Sequence, residues 1–215
     1  MSLLLNKAHF PVTALGPGRR IGLWTQGCTI HCPGCVSRDT WEADPGKAIA
    51  IDALVAWCRK ASGGAPDGIT ISGGEPFDQP GALAALVDAF DTWRSELAQP
   101  FDLLCYSGYR LEHLRSRHGA LLARFDAVIT DPFVEAAPTE RPWRGSDNQR
   151  LTPLTPLGEA RYAAAGIVPG PKRFQVVADG SRLWFVGIPA RGDLERLDAA
   201  CASRGVSFTA TSWRA

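Results

Sequence analysis

With 215 residues, 45% of them hydrophobic and 21% charged, the chain can bury one core, with or without an appended lobe, and is not composed like a disordered protein. Its 23 Lys and Arg nearly balance 22 Asp and Glu, so no global field draws a polyanion and no nucleic acid partner is expected. No apolar run reaches the roughly 20 residues that span a bilayer, and the leucines of MSLLLNKAHF lack the charged stretch that opens a signal peptide, so a cytoplasmic protein without a membrane partner is expected.

Taken in chain order, strands alternate with helices. Arg20 to Trp24 (RIGLW) is a short apolar strand ending in the turn Thr25-Gln26-Gly27. Asp52 is placed to cap a helix through about Ala61, with Leu54, Val55 and Cys58 on one face and Ser62-Gly63-Gly64 as its stop. Gly68 to Ser72 (GITIS) is the second strand, running into Gly73-Gly74-Glu75-Pro76. Asp78 then reads as an N-cap, with Pro80 in the first turn and Leu83, Leu86, Val87, Phe90 and Leu97 at helical spacing.

Phe101 to Tyr106 is a third strand, followed by a helix near Leu111 to Arg117, and Asp126 to Thr130 is a fourth. From Val134 to Pro171 the abundance of Pro, Gly, Thr and Arg predicts loops, with one helix around Glu159 to Ala165. Arg173 to Ala178 and Leu183 to Val186 flank Asp179-Gly180, a hairpin signal. A helix near Leu194 to Arg204 and a strand near Ser207 to Thr211 follow. This order predicts an α/β protein with a parallel sheet and its site at the strand C-termini.

The six cysteines do not read as a disulfide framework. Cys28, Cys32 and Cys35 are bunched as C-x3-C-x2-C, whereas Cys58, Cys105 and Cys201 are scattered, the first two as buried thiols. Three soft thiolates within eight residues can wrap one face of a metal centre and favour an Fe–S cluster or zinc. With no fourth cysteine nearby, one iron of a [4Fe–4S] cluster would stay open to a small molecule; the other reading is zinc completed by His31. Ser72-Gly73-Gly74-Glu75-Pro76 ends a strand where two glycines permit close approach and Glu75 offers a carboxylate for an ammonium group; read alone, it is a tight strand-to-helix turn. His9, His113 and His118 read as surface or packing residues.

C-x3-C-x2-C together with Gly73-Gly74-Glu75-Pro76 resembles the radical S-adenosylmethionine (SAM) superfamily. Trp24-Thr25-Gln26-Gly27-Cys28 and Cys32-Pro33-Gly34-Cys35 are similar to the small activating enzymes of anaerobic ribonucleotide reductase, and Arg38-Asp39-Thr40-Trp41 to those of pyruvate formate-lyase. Gly34 stands where many superfamily members carry an aromatic residue. Tyr106-Ser107-Gly108-Tyr109, Asp131-Pro132-Phe133 and the stretch Arg144 to Arg150 extend the likeness.

The resemblance implies an incomplete (β/α)6-type barrel, with residues 1–150 as radical SAM core and 151–215 as a C-terminal extension completing or extending it. It implies that Cys28, Cys32 and Cys35 ligate a [4Fe–4S] cluster whose open iron chelates SAM. Ser72, Gly73, Gly74, Glu75 and Pro76 would orient SAM, with Ser107, Asp131 and Asn148 as neighbours of SAM or substrate. The implied activity is that of an oxidoreductase. It cleaves SAM to a 5′-deoxyadenosyl radical and abstracts a hydrogen from a glycine of a partner enzyme, with a flavodoxin or ferredoxin as electron donor. The alternatives are the same chemistry on a small molecule or peptide, and a non-catalytic zinc or Fe–S protein. Trp24 and Trp41 flank the cysteine loop, while Trp143 and Trp213 could mark a partner surface or pack in the core.

Overall fold

The computed structural model describes residues 1–163, 174–180 and 182–213. Its main sheet has the order β3-β1-β2-β4-β5-β6-β7. At its centre β2 (Arg20–Thr25), β4 (Gly68–Gly73), β5 (Asp102–Tyr106) and β6 (Ala127–Thr130) run parallel. Nearly every residue of these four strands is buried, as parallel strands covered on both faces require. β1 (Ser2–Val12) pairs antiparallel with β2 and with the short β3 (Ala48–Ala50), and β7 (Arg150–Pro153) pairs antiparallel with β6. The protein is thus mixed α/β with a parallel-rich sheet. Where the resemblance implies about six barrel strands, the parallel run among the described residues is four, and the sheet reaches seven through antiparallel neighbours.

The sequence pattern predicts none of β1, β3 and β7. β3 is only three residues long, and β1 and β7 are poor in apolar pattern, with Asn6, Lys7 and His9 in one and Arg150 and Thr152 in the other, because each forms a partly exposed margin rather than a buried centre.

The helices pack on the central strands. α1 (Ile51–Ser62) ends as expected on Gly63 in the left-handed conformation, but Ala50 precedes its first turn and Asp52 lies within that turn rather than capping it. α2 (Pro80–Ser95) buries Leu83, Leu86, Val87, Phe90 and Trp93, and Trp93 meets Phe101 edge-on at 4.8 Å. Its N-cap is Gln79, because the Asp78 side chain is engaged elsewhere. α3 (Leu111–Leu122) runs past the expected end with a bend at His118. α4 (Pro156–Tyr162) begins before the expected Glu159, because Thr155 accepts the Gly158 N–H and caps the helix there.

A separate hairpin joins β8 (Phe174–Asp179) and β9 (Arg182–Gly187), and the expected first residue, Arg173, lies outside the described residues. α5 (Asp193–Ala202) follows, and residues 207–211 are irregular rather than the expected strand. Among the described residues no helix is long and apolar enough to cross a membrane.

The N-terminal ends of the central strands are plugged by charge. The Arg20 guanidinium, fully buried, meets both oxygens of Asp102 at 3.0 and 2.8 Å and donates to Thr70 and to the Ile69 carbonyl. Arg161 and the Tyr162 hydroxyl close on the same carboxylate. Removing one partner leaves the other charge buried without compensation. Asp102→Ala is expected to cost about 3–5 kcal/mol in urea unfolding; a loss below about 1 kcal/mol, typical of a solvated pair, would contradict this account.

Candidate functional site

The opposite, C-terminal ends of the strands carry the expected site residues. β2 leads into a neck that holds the cysteine loop. Gly27 N–H donates to Thr40 O at 2.8 Å and Cys28 N–H to Trp41 O at 2.9 Å. The buried Gln26 amide donates to the Asp39 and Glu42 carbonyls, while its oxygen accepts from Asn6 and Lys47. Beyond the neck, Thr29 is tied to the Asp78 carboxylate through both its N–H, at 2.7 Å, and its hydroxyl, at 3.1 Å. The Tyr109 hydroxyl donates to the same carboxylate at 2.7 Å. Asp78 therefore clamps the cysteine loop rather than capping a helix. Its partners lie 49 and 31 residues away, and no local signal announces them.

Cys28, Cys32 and Cys35 are all half-buried and line one cleft of about 940 Å³. Burial pushes the Cys28 and Cys32 thiols up, because it disfavours thiolate. Backbone N–H groups act against that rise: His31 and Ile30 at Cys28, and Phe133 at Cys32. Ser37 N–H points at Cys35 Sγ from 3.4 Å. The Ser37 N–H at Cys35 is a donor that would favour a thiolate there and tune a cluster it held.

Three soft thiols on one cleft are the donor chemistry that Fe–S clusters use. Among the described residues no three His, Cys, Asp or Glu side chains gather as ligands of a single ion. His31, the zinc ligand of the other reading, lies stacked on Trp41 with ring centroids 4.6 Å apart. Cys58 and Cys105 are fully buried away from the cleft, Cys58 pushed up to about 12 by burial, and Cys201 sits on α5.

The β4 end presses directly on the neck of the loop. Gly74 N–H donates to Thr25 O and Glu75 N–H to Gly27 O, each at 2.9 Å. A Cβ on Gly74 would stand 2.1 Å from Gly27 O, and one on Gly73, at φ +101°, 2.5 Å from Thr25 N. Only glycine permits that approach.

The Glu75 carboxylate, 1% exposed, lies at the base of the cleft. It accepts from Phe77 N–H at 3.0 Å, the Ser107 hydroxyl at 2.9 Å and Gly108 N–H at 2.8 Å. Burial nonetheless raises its pKa to about 7 against these three bonds. Ser107 also accepts Tyr109 N–H at 3.1 Å, so its hydroxyl serves the turn and the carboxylate.

Of the other expected residues, Ser72, Ser107 and Asp131 line the cleft. Asp131 does so from a left-handed backbone, φ 81°. Pro76 is buried at the start of the turn Pro76–Asp78, outside the cleft lining. Asn148 is exposed and donates to Pro132 O at 2.8 Å; its neighbour Gln149 lines the cleft instead and bonds Asp131 O at 3.1 Å. Trp24, Trp41 and Trp213 line the cleft, whereas Trp143 packs edge-on against the buried Tyr162.

A family model described as a 4Fe-4S single cluster domain matches residues 14–152. The chain is similar to the anaerobic ribonucleoside-triphosphate reductase-activating protein of Enterobacteria phage T4, 30% identical over 138 residues, covering 63% of this chain and 85% of that protein. The protein of the same name from Vibrio cholerae serotype O1 is 30% identical over 152 residues, covering 68% and 96%. The pyruvate formate-lyase-activating enzyme of Staphylococcus aureus (strain USA300) is 40% identical over 74 residues, covering 31% and 28%.

Glu75 makes the folded chain sensitive to pH. Because its folded pKa lies above the unfolded value, the native state holds the proton longer, and stability falls as pH rises from about 4.5 through about 7. Relative to Glu75→Gln, the cluster-free wild type is expected to lose on the order of 3 kcal/mol across that window in urea unfolding. Parallel pH profiles for the two proteins would contradict the assignment.

Proposed function

Because the chain belongs to the 4Fe-4S single cluster domain family and is an enzyme of the radical SAM type, we propose that it cleaves S-adenosylmethionine reductively and abstracts a hydrogen atom from a backbone glycine of a partner enzyme. When bound, a reduced [4Fe–4S] cluster and SAM supply the electron, the C–S bond cleavage and the hydrogen-abstracting radical. The observation that carries the reading is the convergence on one cleft of three thiols and the side-chain-free end of β4.

In this reading Cys28, Cys32 and Cys35 hold three irons and leave the fourth open. Ser72, Gly73 and Gly74 present a strand end that a small ligand can approach closely. Three of the roughly four lone-pair positions of Glu75 are occupied, and the remaining one can accept from the SAM ammonium group. Ser107 positions Glu75, Pro76 fixes the turn behind it, and Asp131 stands across the cleft. Residues 1–150 form the radical SAM core as a partial barrel, with 151–215 appended, and a flavodoxin or ferredoxin supplies the electron. A small-molecule or peptide substrate is the second reading, favoured by the appended residues that also line the cleft.

Anaerobic reconstitution with iron and sulfide, then reduction in the presence of SAM, is expected to yield 5′-deoxyadenosine and methionine. Cys28→Ala, Cys32→Ala and Cys35→Ala should each lower iron content and abolish both products. Reconstituted, reduced wild-type protein that leaves SAM intact would overturn the proposal. With SAM cleaved, a glycine-centred radical in an added anaerobic ribonucleotide reductase, read by electron paramagnetic resonance, supports the activase. Its absence moves the substrate to a small molecule or peptide.

A further inference from the structure

Residues 174–180 and 182–213 lie beyond the stretch that matches the family, 14–152, yet parts of them line the same cleft as the three cysteines. Val186 packs with Val12, Leu15 and Trp24, and among the described residues side-chain hydrogen bonds add two anchors. Gln175 donates from its amide to Pro11 O and accepts Thr13 N–H at 3.1 Å, fixing the hairpin to the end of β1. Ser212 donates to Val36 O at 2.8 Å and accepts Arg38 N–H at 3.2 Å, fixing the following segment to the cysteine loop one residue past Cys35. Between these anchors Phe185, Phe208 and Trp213 meet edge to face, with centroids 6.1 to 6.5 Å apart. Phe174 and Leu183 extend this apolar surface along the cleft while remaining 37% and 39% exposed.

Apolar surface left open inside a reaction cleft marks a place for a ligand's apolar group. We propose that this wall selects the substrate: it takes an apolar or aromatic side chain beside the reacting glycine of an extended peptide segment. The inference rests on the glycine-directed reading above. The peptide is chosen because the wall and the cysteines line one cleft, so an extended segment that brings a backbone glycine into it has the wall beside it.

Two heptapeptide probes test it, one with a central glycine flanked by phenylalanines and one flanked by serines. Their binding to the reconstituted protein with SAM is measured anaerobically by titration calorimetry, with no turnover required. The phenylalanine peptide is expected to bind about tenfold tighter or better. Phe208→Ala should reduce that preference, and so should Leu183→Ser, a change at an exposed site that asks nothing of folding. Val176→Ala, on the exposed hairpin face outside the cleft lining, should leave preference and SAM cleavage unchanged. Equal affinities, no binding of either peptide, or an undiminished preference in both wall variants would each overturn the wall assignment. Failure of the wild type to cleave SAM would overturn the underlying reading instead, whatever the peptides do.

Discussion

The site depends on the contact of Gly73 and Gly74 with the backbone of Thr25 and Gly27. It is a steric constraint before it is a chemical one. With any side chain at Gly74, the Gly27 carbonyl would have to move, and with it the neck from which Cys28 hangs. The same contact sets Glu75, whose N–H is bonded to Gly27 O, and Glu75 in turn fastens the β5 end through Ser107 and Gly108. Three strand ends and the cysteine loop are thus placed by one close approach and one buried carboxylate.

That carboxylate holds a balance that chemistry can tip. Two of its three donors are backbone N–H groups, which can only donate, and both favour the ionised form. Burial outweighs them and brings its pKa to about 7. A group balanced near neutrality is driven to the carboxylate by a cation arriving beside it, since an opposite charge lowers the pKa. An ammonium group at the base of the cleft would therefore stabilise the charge it needs. At the other end of the sheet Asp102 is enclosed by Arg20, Arg161 and Tyr162, which take up both of its oxygens. One pole of the sheet is a closed ionic plug, and the other is left open to ligands.

The parts of this arrangement that were legible in the sequence are those governed by local pattern. The four parallel strands announce themselves because strands covered on both faces are apolar throughout. The loop cysteines announce themselves by spacing, and the end of α1 by Gly63. The illegible parts are long-range or two-sided. β1 mixes polar and apolar residues because it borders the sheet, so no period stands out. Asp78 looks like a helix cap, since an acid two residues before a proline is a good one, and only the folded chain brings Thr29 and Tyr109 to claim it first. The exchange of Asn148 for Gln149 is a matter of which side of one turn faces the cleft. Residue type does not encode that.

The appended segment changes what the cysteine loop can respond to. In a core ending near residue 152, the loop would be held by its neck, by Asp78 and by the contact between the Thr29 and Tyr109 hydroxyls. Here Ser212 bonds both Val36 O and Arg38 N–H, so the stretch just after Cys35 is held from the substrate side as well. A ligand that packs against Trp213 or Phe208 presses on residues one and four positions from that anchor. Movement of the anchor would act on the backbone around Ser37, whose N–H points at Cys35 Sγ. N–H donation to a ligating sulfur is one of the terms that sets a cluster's potential. Ser212 is thus the short run of backbone that lies between the proposed wall and the third cysteine.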